Sequence, residues 1–268
     1  MSIPTAAAPE HVAVSSCLLD ADGEVLAAEE ADRPYYAAST IKLHVLLAAL
    51  RAADAGTLDL DGTVAATRTF TGSDGAAFTL GGDHLDATHP ADGERIPVRE
   101  LLQRMIDRSS NEATNHLVEL VGLAAVAGAI ASLGLTATRM ERLIGDASAL
   151  GSGATNETSA ADLVVTMRAL VRHGEGLSTS SVDSACTVLR AQRIPVIAAA
   201  LRDGVPWGSK SGWVDGYRHD VAFIGDPDGE DFRVLAVMTA GMDQDDADRR
   251  IAALVREQLP DVAAGPAR

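Results

Sequence analysis

The stretch Ala38-Ser39-Thr40-Ile41-Lys42-Leu43-His44-Val45-Leu46-Leu47-Ala48-Ala49-Leu50-Arg51-Ala52-Ala53-Asp54 decides the reading of this chain. It is rich in helix formers, holds no Pro or Gly, and meets Gly56 just past its end, so it predicts a helix from Ala38 to Asp54. Its first turn carries Ser39 and, three residues on, Lys42. Residues at that spacing share a helix face, so hydroxyl and amine can meet. An amine with lowered proton affinity can take the serine proton and leave an alkoxide-like nucleophile. The helix N-terminus adds backbone N–H donors and a positive field that favour a developing anion.

The rarity of lysine sharpens this. Of 22 basic residues, 20 are arginine, and the two lysines are Lys42 and Lys210. Arginine cannot give up its proton in a protein, whereas lysine does so when its surroundings disfavour the charge. The second lysine opens Lys210-Ser211-Gly212, in a stretch that reads as a strand. There the glycine lets a ligand approach the backbone closely, and the lysine supplies positive field. Between the two lysines lies Ser109-Ser110-Asn111, whose hydroxyl and amide, two residues apart, can serve as proton relay and amide contact. Each motif alone is a weak signal. Both lysines falling in such positions, in this order, is a strong one.

Outward from these motifs, His11 to Leu19 and Glu24 to Ala28 read as a hairpin around Asp20-Ala21-Asp22-Gly23. Residues 57–97 read as loops with a short strand or helix at most. Helices are predicted at Val98–Asp107, Glu112–Val121 and Ala124–Leu133. After an irregular stretch (144–157), Thr158-Ser159 caps a helix running to about Arg172, and shorter helices lie near 181–191 and 195–202. Val205–Val214, Tyr217–Ile224 and Phe232–Ala240 read as strands joined by tight turns, followed by a helix from about Asp245 to Gln258. Short turns imply an antiparallel sheet. The expected fold is therefore α/β (α+β): a single domain whose sheet is built from both chain ends and flanked by helices, with an all-helical lobe inserted. The α/β lobe would hold about 1–55 and 195–268, the helical lobe about 56–194, with the site in the cleft between them.

With its three motifs in order, the chain resembles the class A β-lactamases and penicillin-binding proteins, whose signature is Ser-x-x-Lys, Ser-Asp-Asn and Lys-Thr-Gly. MIDRSSNEATNHLVE is similar to the helix around their second motif, TRMERLIGD to the entry of their omega loop, and WGSKSGWVDGYRHDVAFIG to β-lactamase-related serine hydrolases. The resemblance spans about 11–258 and implies the same lobed fold. It implies Ser39 as acylated nucleophile, Lys42 as proton acceptor, Ser109 as relay to the leaving group and Asn111 as a contact to substrate amide. Lys210 and Ser211 would steer substrate, and the backbone N–H groups of Ser39 and Trp213 would form the oxyanion hole beside Gly212. Arg218 and His219 would contact a substrate carboxylate; the alternative for His219 is a structural role on the strand or a pairing with Asp220.

Three departures stand out. Ser110 replaces an aspartate that normally braces its loop, and Ser211 replaces the commoner threonine. More seriously, the glutamate that activates the deacylating water, two residues after the arginine matching Arg142, is here Ile144. Asp146 is the candidate substitute base, with Glu141 a second. Slow turnover of β-lactams follows, because losing a positioned base costs about 10²–10⁴-fold.

A net charge of −16 argues against nucleic acid or anionic membrane as partners. The residues imply a small-molecule substrate (an amide, ester or lactam), no cofactor and no metal. His84 and His89, among Asp83 and Asp86, read as a flexible acidic loop rather than a metal site. Trp207 and Trp213 flank Lys210 and either wall the cleft or pack in the core. Cys17 and Cys186 read as buried thiols. MSIPTAAAPEHVAV shows no secretory leader, so a cytoplasmic location is the expectation. Two alternatives are kept beside this reading: a binding or sensor protein that is acylated without turnover, and an esterase or transacylase in a biosynthetic pathway.

Overall fold

The computed structural model describes residues 11–82 and 84–265. Most of the N-terminal stretch read for a leader, and Asp83, lie outside them. In chain order, β1 (Ala13–Leu19) and β2 (Val25–Glu29) form the expected hairpin, and β3 (Tyr35–Tyr36) leads into a 3-10 turn, Ala38–Ile41, that continues as α1 (Lys42–Asp54). Then come β4 (Thr63–Ala65), β5 (Thr69–Thr71), β6 (Ala77–Thr79) and β7 (Arg95–Pro97), followed by α2 (Val98–Asp107), α3 (Asn111–Val121) and α4 (Leu123–Ser132). The next stretch holds β8 (Arg139–Met140), α5 (Ala147–Gly151) and β9 (Asn156–Thr158), ahead of α6 (Ala160–Val171) and α7 (Thr179–Arg190). A 3-10 turn at Ala198–Ala200 precedes β10 (Trp207–Val214), β11 (Tyr217–Ile224), β12 (Arg233–Ala240) and α8 (Gln244–Gln258).

The main sheet has the order β10-β11-β12-β1-β2, with every pairing antiparallel. Both chain ends therefore share it, because β1 pairs with β12. Side chains alternate between two cores. Val221, Phe223, Val234, Ala236 and Met238 enter the larger one, while Ala222, Ile224, Leu235 and Val237 enter the smaller. Burial on both faces explains why these strands read as near-continuous apolar runs. α8 covers the smaller core through Ile251, Leu254 and Val255. On the other face α6, grouped by the sequence reading with the helical lobe, lies against β1, β11 and β12.

Several expectations are revised. The stretch 57–97 contains two small antiparallel pairs, β4 with β7 and β5 with β6, too short to show period-two alternation. Residues 144–157 include α5 and β9. The helix expected at 195–202 shrinks to a single 3-10 turn, because Leu201 leaves it to pair with Ala263. Ser159 caps α6, accepting from the Asp162 amide. Both cysteines are buried and free, and burial pushes each thiol up to about 11. No single helix among the described residues is long and apolar enough to cross a membrane.

Candidate active site

A cleft of about 630 Å³ is lined by Tyr36, Ser39, His84, Arg108, Ser109, Asn111, Ile144, Ser211, Trp213 and Arg218, among others. Ser39 lies in the 3-10 turn rather than in α1, and Ala38 before it has φ 47. β10 is packed hard against this turn. A Cβ on Gly212 would lie 3.0 Å from the amide nitrogens of both Ser39 and Thr40, so only glycine permits the approach.

Behind the cleft both lysines are completely buried. Lys42 Nζ lies 2.7 Å from the Ser109 carbonyl oxygen, 3.0 Å from Ser109 Oγ and 2.8 Å from Asn111 Oδ1. Its three hydrogen-bond partners thus come from the middle motif, and the direct bond to Ser39 expected from helical spacing is not among them. Lys210 Nζ donates to the Ser211 carbonyl at 2.7 Å and to Ser109 Oγ at 3.2 Å. Ser109 is held between two amines in a left-handed backbone conformation, φ 60, a strain that costs of order 1–3 kcal/mol for a non-glycine residue.

Two buried amines so close cannot both keep their charge. Burial, and then the charge of Lys210, pull Lys42 well below the ordinary lysine value, with Glu112 opposing. Burial lowers Lys210 to about 7, with Asp220 opposing and Arg218 adding to the shift. Both shifts favour the neutral amine, the form able to accept a proton. A neutral amine has one lone pair, and the Ser109 carbonyl and Asn111 Oδ1 can only accept. With Lys42 neutral, the Ser109 hydroxyl can turn its proton to Lys42 Nζ while accepting from Lys210. That is the orientation of a proton relay.

The remaining sequence candidates divide. Ser39, Ser109, Asn111, Ser211, Trp213 and Arg218 line the cleft. Asn111 also donates to the His84 carbonyl at 3.3 Å. Arg218 is clamped by Asp248 of α8 at 2.6 and 3.2 Å, which fixes its guanidinium. His219 is fully buried and does not reach the cleft: its Nε2 donates to the Tyr36 carbonyl and its Nδ1 accepts from the Thr239 amide. Burial lowers it to about 4, so it is a neutral strut between β11 and β3. Asp220 is not its partner; the Asp220 carboxylate accepts from the Val196 and Ile197 amides, each at 2.8 Å.

Asp146, the candidate base, is likewise placed elsewhere. It is the N-cap of α5, accepting from the Ser148 and Ala149 amides, the Ser148 hydroxyl and the Ser73 amide. Burial alone would raise its carboxyl, but these hydrogen bonds outweigh it and hold the group below its usual range. A carboxylate so occupied has little proton affinity to lend a water. Its contribution to stability is present above the unfolded value of about 3.9 and is lost as pH falls through the lower folded value. Asp146→Ala should cost about 1–2 kcal/mol, read as a lowered Tm, with the deacylation rate unchanged; a matching loss of deacylation would restore it as the base. Glu141 is also occupied, accepting from the Thr155 amide.

The acidic-loop reading of 83–89 is corrected too. Asp86 is buried against Arg104 at 2.9 Å, and His89 is buried on the ring of His116. His84 instead meets Trp213 across the cleft, ring centroids 5.1 Å apart. Trp213 thus walls the cleft, while Trp207 packs on the smaller core. Sequence reasoning missed Tyr36, Arg108, Glu112 and Asp248. Nothing local marks the first two, and Asp248 is one of several acids opening a helix.

With this geometry in hand, comparison with known proteins gives a consistent result. The profile described as the β-lactamase enzyme family matches residues 4–259. A β-lactamase from Sphaerobacter thermophilus is 28% identical with a TM-score of 0.76, covering 92% of this chain and 90% of that one. A β-lactamase from Xanthomonas campestris pv. campestris is 25% identical with a TM-score of 0.77, covering 93% and 91%. The structure of PBP-A, at 22% identity and a TM-score of 0.75 over 95% and 92%, shares the fold. Among curated proteins compared by sequence, none matches. On a family match over nearly its whole length, the chain belongs to the β-lactamase enzyme family and is a serine hydrolase of the β-lactamase and transpeptidase type.

Proposed function

We propose that a small-molecule amide, ester or lactam acylates Ser39, and that the acyl-enzyme formed from β-lactams is long-lived. The observation that carries this reading is the convergence of two buried lysines on Ser109 beside the cleft that holds Ser39. The Ser39 proton passes through Ser109 to neutral Lys42 as Ser39 Oγ bonds to the carbonyl carbon. The oxyanion forms against the backbone N–H groups of Ser39 and Trp213, and Ser109 returns the proton to the leaving group. Ser211, Gly212 and Arg218 line the path of a substrate carboxylate, with Lys210 supplying charge behind them.

Deacylation lacks its usual helper. Ile144 lines the cleft where a base would stand, and Asp146 and Glu141 are bonded elsewhere. The same observation favours a second reading, an acylated sensor without turnover. The test is intact mass after mixing with a penicillin or a fluorophosphonate probe, with peptide mapping. A stoichiometric adduct on Ser39 that persists for minutes supports slow hydrolysis; an adduct that never clears supports the sensor; labelling elsewhere removes both readings.

Lys210 gives the cleft a pH signature. Below about pH 7 it is charged, and the charge is lost as pH rises through that value. For an anionic β-lactam kcat/KM should therefore fall above about pH 7, while that for a neutral ester should not. Parallel alkaline limbs for the two substrates would exclude this steering role.

A further inference from the structure

We propose that Glu112 is a positioning residue for the Lys42–Ser109 relay, taking over from two places along α3 the bracing that the aspartate of the Ser-Asp-Asn signature supplies. This rests on the reading of Lys42 as proton acceptor. The chain has Ser110 at the signature's acid position and Glu112 just beyond Asn111. The Glu112 carboxylate is completely buried. It accepts from the Ser110 hydroxyl at 3.0 Å, from the Asp86 amide at 3.1 and 3.3 Å, and from Arg68 Nε at 3.4 Å. Ser110 Oγ in turn accepts from the Ala113 amide at 3.1 Å, so the hydroxyl links the carboxylate to the first turn of α3.

A buried carboxylate is costly unless its oxygens are satisfied, and here they are satisfied by the segment that shapes the site. The Asp86 amide and Arg68 come from the two sides of the loop that carries His84, and Ser110 is the neighbour of strained Ser109. Glu112 thus holds Ser109 in its left-handed conformation and Asn111 against Lys42. Its charge also acts on Lys42. The charged groups acting on Lys42 are Lys210 from β10, which lowers its proton affinity, and Glu112 from α3, which raises it. Arg68, Asp86 and His89 surround the other side of Glu112. Without the carboxylate, the Lys42 amine loses its proton more readily and takes one less readily.

The experiment measures the acylation rate of Ser39 by a penicillin across pH, by quenched-flow intact mass, for the wild type, Glu112→Gln and Ser110→Asp/Glu112→Gln. Acylation needs neutral Lys42, so its acid limb follows the Lys42 titration. In Glu112→Gln the acid limb should move to lower pH, and the plateau rate should fall about tenfold as the relay loses alignment. In the double variant, with the acid restored at the signature position, the plateau should return to within about threefold of wild type. A single variant with the wild-type acid limb overturns the proposal, even if it is slow or thermally weakened, since a purely structural role would lower stability without moving that limb. If Glu112→Gln does not fold, the double variant decides: folded and active supports the relocated acid, unfolded or inactive overturns it. Failure of wild-type Ser39 to be labelled would show instead that the underlying reading of the site is wrong.

Discussion

Lys42→Arg should abolish acylation of Ser39, lowering the rate by on the order of 10³-fold or more, the scale on which a positioned proton acceptor contributes. The physical reason is that arginine stays protonated where lysine does not. Lys42 is buried, flanked by a second buried amine and surrounded by three oxygen atoms that all belong to Ser109 and Asn111. A permanent cation there cannot take the proton that the proposed acylation draws from Ser39. The guanidinium is also larger than the space it would enter, and overpacking costs about 1–3 kcal/mol. Lys42→Met is therefore the companion variant: close in volume, uncharged, and equally unable to accept a proton. Both should retain the wild-type far-UV circular dichroism and show no adduct by intact mass. Wild-type labelling in a folded Lys42→Met variant would remove Lys42 from the chemistry and leave Lys210 as the lysine bonded to Ser109.

The second large effect runs the other way. Ile144→Glu should shorten the life of the penicilloyl adduct by on the order of 10²-fold, because it returns a proton acceptor to the cleft. The backbone at this position is fixed. The Ile144 amide donates to Asn115 Oδ1 at 2.9 Å, and Asn115 Nδ2 donates back to the Ile144 carbonyl at 2.9 Å. Ile144 lines the cleft and packs on the larger core, so a carboxylate there is partly desolvated, and its proton affinity rises toward that of a useful base. Stability should fall by about 1–3 kcal/mol as apolar packing is exchanged for a partly buried charge. The adduct's decay, followed by mass after removal of free penicillin, gives the answer. An unchanged lifetime would mean that water access, not the missing base, limits turnover.

Why some residues could be read in advance and others could not has a physical basis. Ser39, Lys42, Ser109, Asn111 and Lys210 stood out as candidates because residue type and short spacing are what a sequence displays directly. The scarcity of lysine helped, since two lysines among 20 arginines stand out. His219 misled because a histidine on a strand next to a candidate site looks the same whether it faces the cleft or the core. Only the register of β11 against β10 and β12 turns it inward to Tyr36 and Thr239. Asp146 misled for a similar reason: an acid two residues beyond the lost glutamate is near it along the chain, but the turn into α5 directs it to the amides it caps.

By itself the sequence determined the α/β character, the pairing of strands joined by tight turns, the helix that follows Ser39, and the set of candidate groups, because these follow from local propensity, turn chemistry and residue identity. Tertiary structure alone decided which groups meet. Ser109 comes between Lys42 and Lys210, 67 and 101 residues away, and Glu112 is buried against Asp86 and Arg68. Proton affinity depends on burial and on charges a few ångströms away, and both are properties of packing between distant segments that no local pattern encodes.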